Sequence, residues 1–216
     1  MKRFIALSVF GAMVAGVLVS SVSSAPTPSE SANKWELEFS YQTPRCIQVH
    51  VPGEDAPRTF WYMRYTVINR TDSEQSFMPE FVMYTDSGQE LRSGEGVPSI
   101  VFDTIKQTLS DPLLKAQTDI MGKIFRGADN AKDGVAIFCD IDHSAGSFDL
   151  FIGGLSGEYA IVKLPNPIQM KVRGKVIEKD EVVLSKTLHL NYKLPGEAAA
   201  RPNIAPELVS KNWVMR

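Results

Sequence analysis

Apolar residues at Trp35, Leu37, Phe39 and Tyr41 alternate with Glu36, Glu38 and Ser40, the period-two pattern of a half-buried strand. Residues 46–51 repeat the pattern through Ile47, Val49 and Val51 and stop at Pro52-Gly53. Residues 60–68 are rich in aromatic and β-branched side chains and run into the turn cluster Asn69-Arg70-Thr71-Asp72. Residues 77–85 read as the next strand, closed by Asp86-Ser87-Gly88. Strands separated by short polar turns predict antiparallel meanders, and so a sandwich or barrel.

The period changes in the middle of the chain. Ile100, Val101, Ile105 and Leu109 fall near helical spacing behind Pro98, which suits a first turn. Asp111-Pro112 reads as a fresh N-cap with Pro at the first helical position, leading Leu113, Leu114, Ile120, Met121, Ile124 and Phe125 into a second short helix that Gly127 ends. Together these predict a helical insertion at about residues 97–126. Strands resume at 135–141 and 148–152, and the glycines from Gly153 to Gly157 demand a loop or bulge. Residues 168–178 and 181–194 predict a hairpin turning at Lys179-Asp180. In its second arm Leu184, Lys186, Leu188, Leu190 and Tyr192 occupy one face. A Pro/Ala-rich arm, residues 195–216, closes on Trp213-Val214-Met215-Arg216.

The N-terminus alters the cellular picture. Lys2 and Arg3, an uncharged apolar run over residues 4–19 and a small-residue stretch over 20–25 follow the order of a secretory signal peptide. Sixteen apolar residues fall short of the roughly 20 that span a bilayer, so cleavage and no stable membrane span are expected. Residues 26–34, rich in Pro and Ser, read as a flexible linker, leaving one domain over 35–216 in the periplasm, cell envelope or medium. The formal charge of −2 grows more negative once Lys2 and Arg3 leave with the leader, which argues against nucleic acid as a partner. In an oxidising compartment the two cysteines, Cys46 and Cys139, invite a disulfide. Equally, Cys139 inside Val-Ala-Ile-Phe-Cys suits a buried free thiol, and both alternatives stand.

Candidate chemistry is thin. Gly154-Leu155-Ser156-Gly157-Glu158 is one residue short of a nucleophile elbow and lacks the helix that must follow it. Asp129-Asn130-Ala131-Lys132-Asp133-Gly134 superficially matches a calcium loop but puts Ala131 at a ligand position. Cys139, Asp140, Asp142 and His143 gather metal-ligating types, yet neighbours in a strand point to opposite faces. Asn69-Arg70-Thr71 satisfies the N-glycosylation sequon and equally suits a tight turn. Trp61, Tyr62 and Tyr65 would form a carbohydrate platform only if exposed. No catalytic residue, cofactor or metal is assigned.

Taken in order, Trp35-Glu36-Leu37-Glu38-Phe39, Phe60-Trp61-Tyr62, Gly127-Ala128-Asp129-Asn130-Ala131, Leu194-Pro195-Gly196-Glu197 and the closing Trp213-Val214-Met215-Arg216 resemble a family of secreted proteins from planctomycete-type bacteria that carries no assigned activity. The resemblance implies a single unit over the mature chain and transfers no catalytic residue. It draws attention to Trp213 and Arg216, whose tetrapeptide is expected to dock on the domain or on a partner. More loosely, residues 65–71 followed by 81–86 are similar to bacterial extracellular immunoglobulin-like domains. The expected fold is therefore mainly β: an immunoglobulin-like antiparallel β-sandwich with a short α-helical insertion. The expected function is a non-catalytic binding or structural module that engages an envelope protein or polymer. Two alternatives accompany it: a hydrolase assembled in three dimensions from His143 or His189 with Ser156 and an Asp, and a small-ligand-binding protein with an enclosed apolar cavity beneath the insertion.

Overall fold

The computed structural model describes residues 25–172 and 174–216, so the expected signal peptide lies outside the described residues apart from Ala25. The chain is mainly β, and every named strand pair is antiparallel. A smaller sheet is organised on β3 (Arg58–Ile68), with β8 (Lys132–Cys139) along one edge. β2 (Arg45–Val49) and β1 (Glu38–Tyr41) follow one another along the other edge. The larger sheet holds β5 (Glu80–Thr85), β6 (Glu90–Arg92), β9 (Ser147–Gly153), β10 (Tyr159–Val172), β11 (Lys175–Lys193) and β12 (Glu207–Met215). Gly94 donates to the Ile137 carbonyl and Ile137 donates to the Ser93 hydroxyl, which straps β8 to the segment after β6 and curves the two sheets into a half-barrel.

Two cores account for these elements. Between the sheets, Trp61, Met63, Tyr65 and Val67 of β3 meet Phe81 and Met83 of β5, Phe148, Leu150 and Ile152 of β9, and Leu188, Leu190 and Tyr192 of β11. On the opposite face of the small sheet, Phe60, Tyr62, Val135 and Ile137 pack under α1 (Ser99–Leu109), which contributes Val101 and Ile105 one turn apart. β3 is thus covered on both faces, and Trp61, Tyr62 and Tyr65 are all buried. The exposure that a carbohydrate platform would require of these rings is therefore absent.

The insertion is helical only in its first half. α1 ends at Ser110, whose φ of +52° places it in the left-handed region. Asp111 does not cap a second helix: its Oδ1 accepts from the Leu113 amide and its Oδ2 pairs with Arg64 at 2.6 Å. Lys115 then runs extended beside β8, donating to the Asp133 carbonyl and accepting from the Val135 amide, which is incompatible with helix. One turn, α2 (Gln117–Ile120), precedes β7 (Gly122–Ile124), which pairs with β4 (Gln75–Phe77). The apolar residues read as one helical stripe are therefore divided: Leu114 enters the core under α1, while Ile120 and Ile124 enter the core between the sheets.

The hairpin also turns elsewhere than expected. Lys179 lies within β11, and the chain reverses between Val172 and Lys175, where Gly174 takes φ +80°. Leu164-Pro165-Asn166-Pro167 bulges out of β10, because two prolines cannot donate to the ladder. Nor is the segment before Trp35 a free linker. The Ser29 amide donates to Glu158 at 2.8 Å, and the Lys34 ammonium sits 3.7 Å from the centre of the Tyr159 ring.

The cysteines are both free. Cys46 lies opposite Trp61 on one side of β3, and Cys139 lies opposite Phe60 on the other. Trp61 and Phe60 point to opposite faces, and directly paired residues share a face, so the two thiols project from opposite faces of the sheet. Two strand spacings also separate their Cα atoms by about 10 Å, beyond the roughly 7 Å a disulfide bridges. Burial pushes the Cys46 thiol up to about 12, leaving it inert as a nucleophile.

Candidate interaction surface

β11 pairs with β9 over Leu188–Lys193 and with β12 from Lys186 onward, and the Ser185 and Arg216 backbones exchange two further bonds. Toward Lys175, the partner of β11 among the described residues is β10. The paired strands therefore leave the body of the domain as a two-stranded arm about 30 Å long. Along it Ile161, Ile168, Met170, Val176, Ile177 and Val183 are all exposed. Branched and aromatic residues are strand-formers whether or not a second layer covers them, so the sequence shows why this arm is β and not that it is bare. Isolated two-stranded ribbons are marginal in water, and a ribbon with uncovered apolar residues gains by contact with something else.

The arm is rooted at a buried cation. Lys186 is 2% exposed, and its Nζ lies 3.0 Å from Glu36 Oε2, 3.5 Å from Glu158 Oε2 and 3.1 Å from the Ser29 carbonyl. The Trp213 ring covers it, with the ammonium 5.0 Å from the ring centre. Trp213 reaches this position because β12 pairs with β11 in a register that sets Trp213 opposite Leu188. The terminal tetrapeptide thus docks on its own domain. Arg216 lies over the rings of Phe151 and Tyr84 and donates to the Tyr84 hydroxyl at 2.6 Å. The sequence carried one sign of the Lys186 site, a lysine in the inward row of an alternating strand; its partners came from segments too distant to anticipate.

The Ser29 amide, and after it Lys186, hold the Glu158 carboxyl below its ordinary value of 4.5. A carboxyl held low by folding contributes stability that is full above the unfolded value and is lost as pH falls through the folded one. Detachment of the residue 29 segment is therefore expected below pH 4.5. NMR titration of Glu158 together with exchange of the Ser29 amide measures this. A shared midpoint at or above 4.5 would exclude the link.

The residues nominated for chemistry are dispersed. Ser156 Oγ contacts the Trp35 carbonyl at 3.3 Å and accepts from the Glu158 amide. His189 Nε2 lies 2.7 Å from Asp149 Oδ1 and its ring stacks on Phe151, so its contacts are with those residues and not with Ser156. Cys139 donates to the Glu95 carbonyl, Asp140 binds Arg58, and Asp142 accepts from the Ser144 amide and hydroxyl, which hold its carboxyl low. Cys139, Asp140 and Asp142 are thus each occupied separately. Asp129 lies in a single 3-10 turn, Ala128–Asn130, and among the described residues no group of three or more His, Cys, Asp and Glu could hold a metal ion. Asn69 is fully buried, donating to the Ser73 and Ile124 carbonyls and accepting from Thr71, which withdraws it from glycosylation in the folded protein.

Two concavities bear on the remaining alternatives. One of about 260 Å³ lies between the 140–145 loop and the 194–202 segment, lined by Arg58, Asp140, His143 and Arg201. Arg201 is spent there on the carbonyls of His143, Ser144 and Ala145, so it serves to fasten the two segments together. The other, about 300 Å³, is an open-sided apolar groove beside α1 lined by Val97, Phe102, Val135 and Ile137, in place of the enclosed cavity that the ligand-binding alternative requires. Comparisons with protein-family models, with curated proteins and with solved structures gave no match.

Proposed function

We propose that the chain is an exported, non-catalytic binding or structural module of the periplasm or cell envelope, with the β10–β11 arm as its contact element. The observation that carries this reading is the run of exposed apolar side chains on a ribbon that leaves the domain body. The leader-like N-terminus and the resemblance to secreted proteins of planctomycete-type bacteria support export. An immunoglobulin-like arrangement is the finer reading we favour for the two antiparallel sheets, since such sandwiches commonly present contact elements at their ends and edges. The hydrolase alternative is weakened by Ser156, whose hydroxyl is engaged by the Trp35 carbonyl and the Glu158 amide.

The test compares the purified protein with a variant whose ribbon beyond the Lys163–Glu181 pair is replaced by a tight turn. Both are incubated with membranes and wall from the source cell. Retention of the intact protein should exceed that of the shortened one by about tenfold or more, as expected when the centre of an interface is removed. Equal retention would remove the arm from the contact. Retention of neither would overturn the binding reading and direct attention to hydrolase substrates.

A further inference from the structure

The end of the arm, residues 168–177, reads Ile-Gln-Met-Lys-Val-Arg-Gly-Lys-Val-Ile. With Glu178 and Lys179, the cross-strand partners of Gln169 and Ile168, it holds four basic residues, Lys171, Arg173, Lys175 and Lys179, against one acidic, Glu178, in a chain whose formal charge is −2. Within the same stretch Ile168 is 42% exposed, Met170 40%, Val176 65% and Ile177 38%. Cationic and apolar character therefore coincide at one extremity of an acidic molecule.

The strand register narrows the occupant. Met170 stands opposite Ile177, and Lys171 stands opposite Val176. Paired residues share a face and successive residues alternate, so apolar side chains project from both faces of the ribbon. A protein surface applied to one face would leave the other in water. A bilayer interface surrounds a ribbon tip, receives apolar groups from both faces at the acyl boundary, and offers phosphates to the cations beside them. We infer that the arm tip docks on an anionic lipid membrane surface.

This inference rests on the arm being the contact element and specifies what it contacts. Depth follows from the backbone. The outer edges of a two-stranded ribbon carry unpaired N–H and C=O groups, which the hydrocarbon core does not tolerate, so the contact is shallow, reversible and confined to the headgroup region. Among the described residues no helix is long and apolar enough to cross a membrane.

The experiment floats the purified protein with vesicles of phosphatidylcholine alone or of phosphatidylcholine with phosphatidylglycerol. Binding is expected only where phosphatidylglycerol is present, and it should weaken as salt is raised. Lys171→Gln with Lys175→Gln should lower partitioning roughly 25-fold, at about fivefold for each cation. Met170→Ser with Ile177→Ser should lower it about tenfold by removing buried methylene area. All four positions lie outside both cores, so circular dichroism should match that of the parent protein and exclude misfolding as the cause. Equal binding to both vesicle types, variants that bind like the parent, or no binding would each overturn the inference. If vesicles fail while shortening the ribbon still abolishes envelope retention, the lipid assignment falls and the contact role stands. Concentration-dependent dimers without lipid binding would assign the tip to a second copy of the chain.

Discussion

Replacing Lys186 by methionine is expected to cost the fold about 3–5 kcal/mol, the range for removing one partner of a buried ion pair. Methionine fills a similar volume, so the change isolates charge from packing. The ammonium that faces Glu36, Glu158 and the Ser29 carbonyl disappears, and two carboxylates are left facing a site with no counter-ion. Trp213 loses its cation–π partner at the same time. Urea unfolding measures the loss as a lower midpoint at unchanged slope. Adding Glu36→Gln and Glu158→Gln to Lys186→Met should restore part of it, because the uncompensated charge is then gone. A single-variant loss below about 1 kcal/mol would show that water reaches the lysine and that the pairing is of the weak surface kind.

Gly134→Ala should be nearly as damaging, about 3 kcal/mol, at the upper end for inserting one methyl group into a filled core. Gly134 stands directly opposite Tyr65. A Cβ there would lie 2.6 Å from Tyr65 Cζ and 2.7 Å from Ile120 Cδ1, and both side chains are essentially fully buried. Tyr65 cannot retreat, because its ring packs 4.9 Å from Phe81 and 5.4 Å from Phe39, centre to centre. In an unconstrained strand the same substitution would help by about 0.5–1 kcal/mol, so the sign itself is diagnostic. Tyr65→Leu removes the obstructing ring atoms, and the Tyr65 hydroxyl has no hydrogen-bond partner to forfeit. The double variant should therefore be more stable than the sum of the two single losses by about 1 kcal/mol or more. Strict additivity would mean that the strand shifts to accommodate the methyl group.

Alternation identified the strands because one inward face is a local property. Trp61, Met63 and Tyr65, and later Leu188, Leu190 and Tyr192, fall on the face that the period implies. What period two cannot express is a second cover. Phe60 and Tyr62 are buried only because α1, some 40 residues later in the chain, lies over them, as happens wherever both faces of a sheet are packed. The second helix failed for a related reason: Leu114, Ile120 and Ile124 have helical spacing but belong to two cores, and Lys115 is drawn into backbone pairing beside β8. Lys179-Asp180 has the polarity of a turn, but reversal requires positive φ, which Gly174 supplies. The candidate surface was the least legible part. Ile168, Met170, Val176 and Ile177 read as core in any one-dimensional account, and only the strand register reveals that, among the described residues, β11 from Lys175 to Lys179 pairs with β10 and with no strand of the domain body.

The Lys186 site also imposes an order of events. Its components come from residues 29, 36, 158, 186 and 213, so the chain produces the two carboxylates and the ammonium before the aromatic lid exists. Until residues 207–215 are added, Lys186 lacks its aromatic cover and β11 lacks its β12 partner. Pairing of β12 with β11 is therefore the step that brings the last component of this site into place.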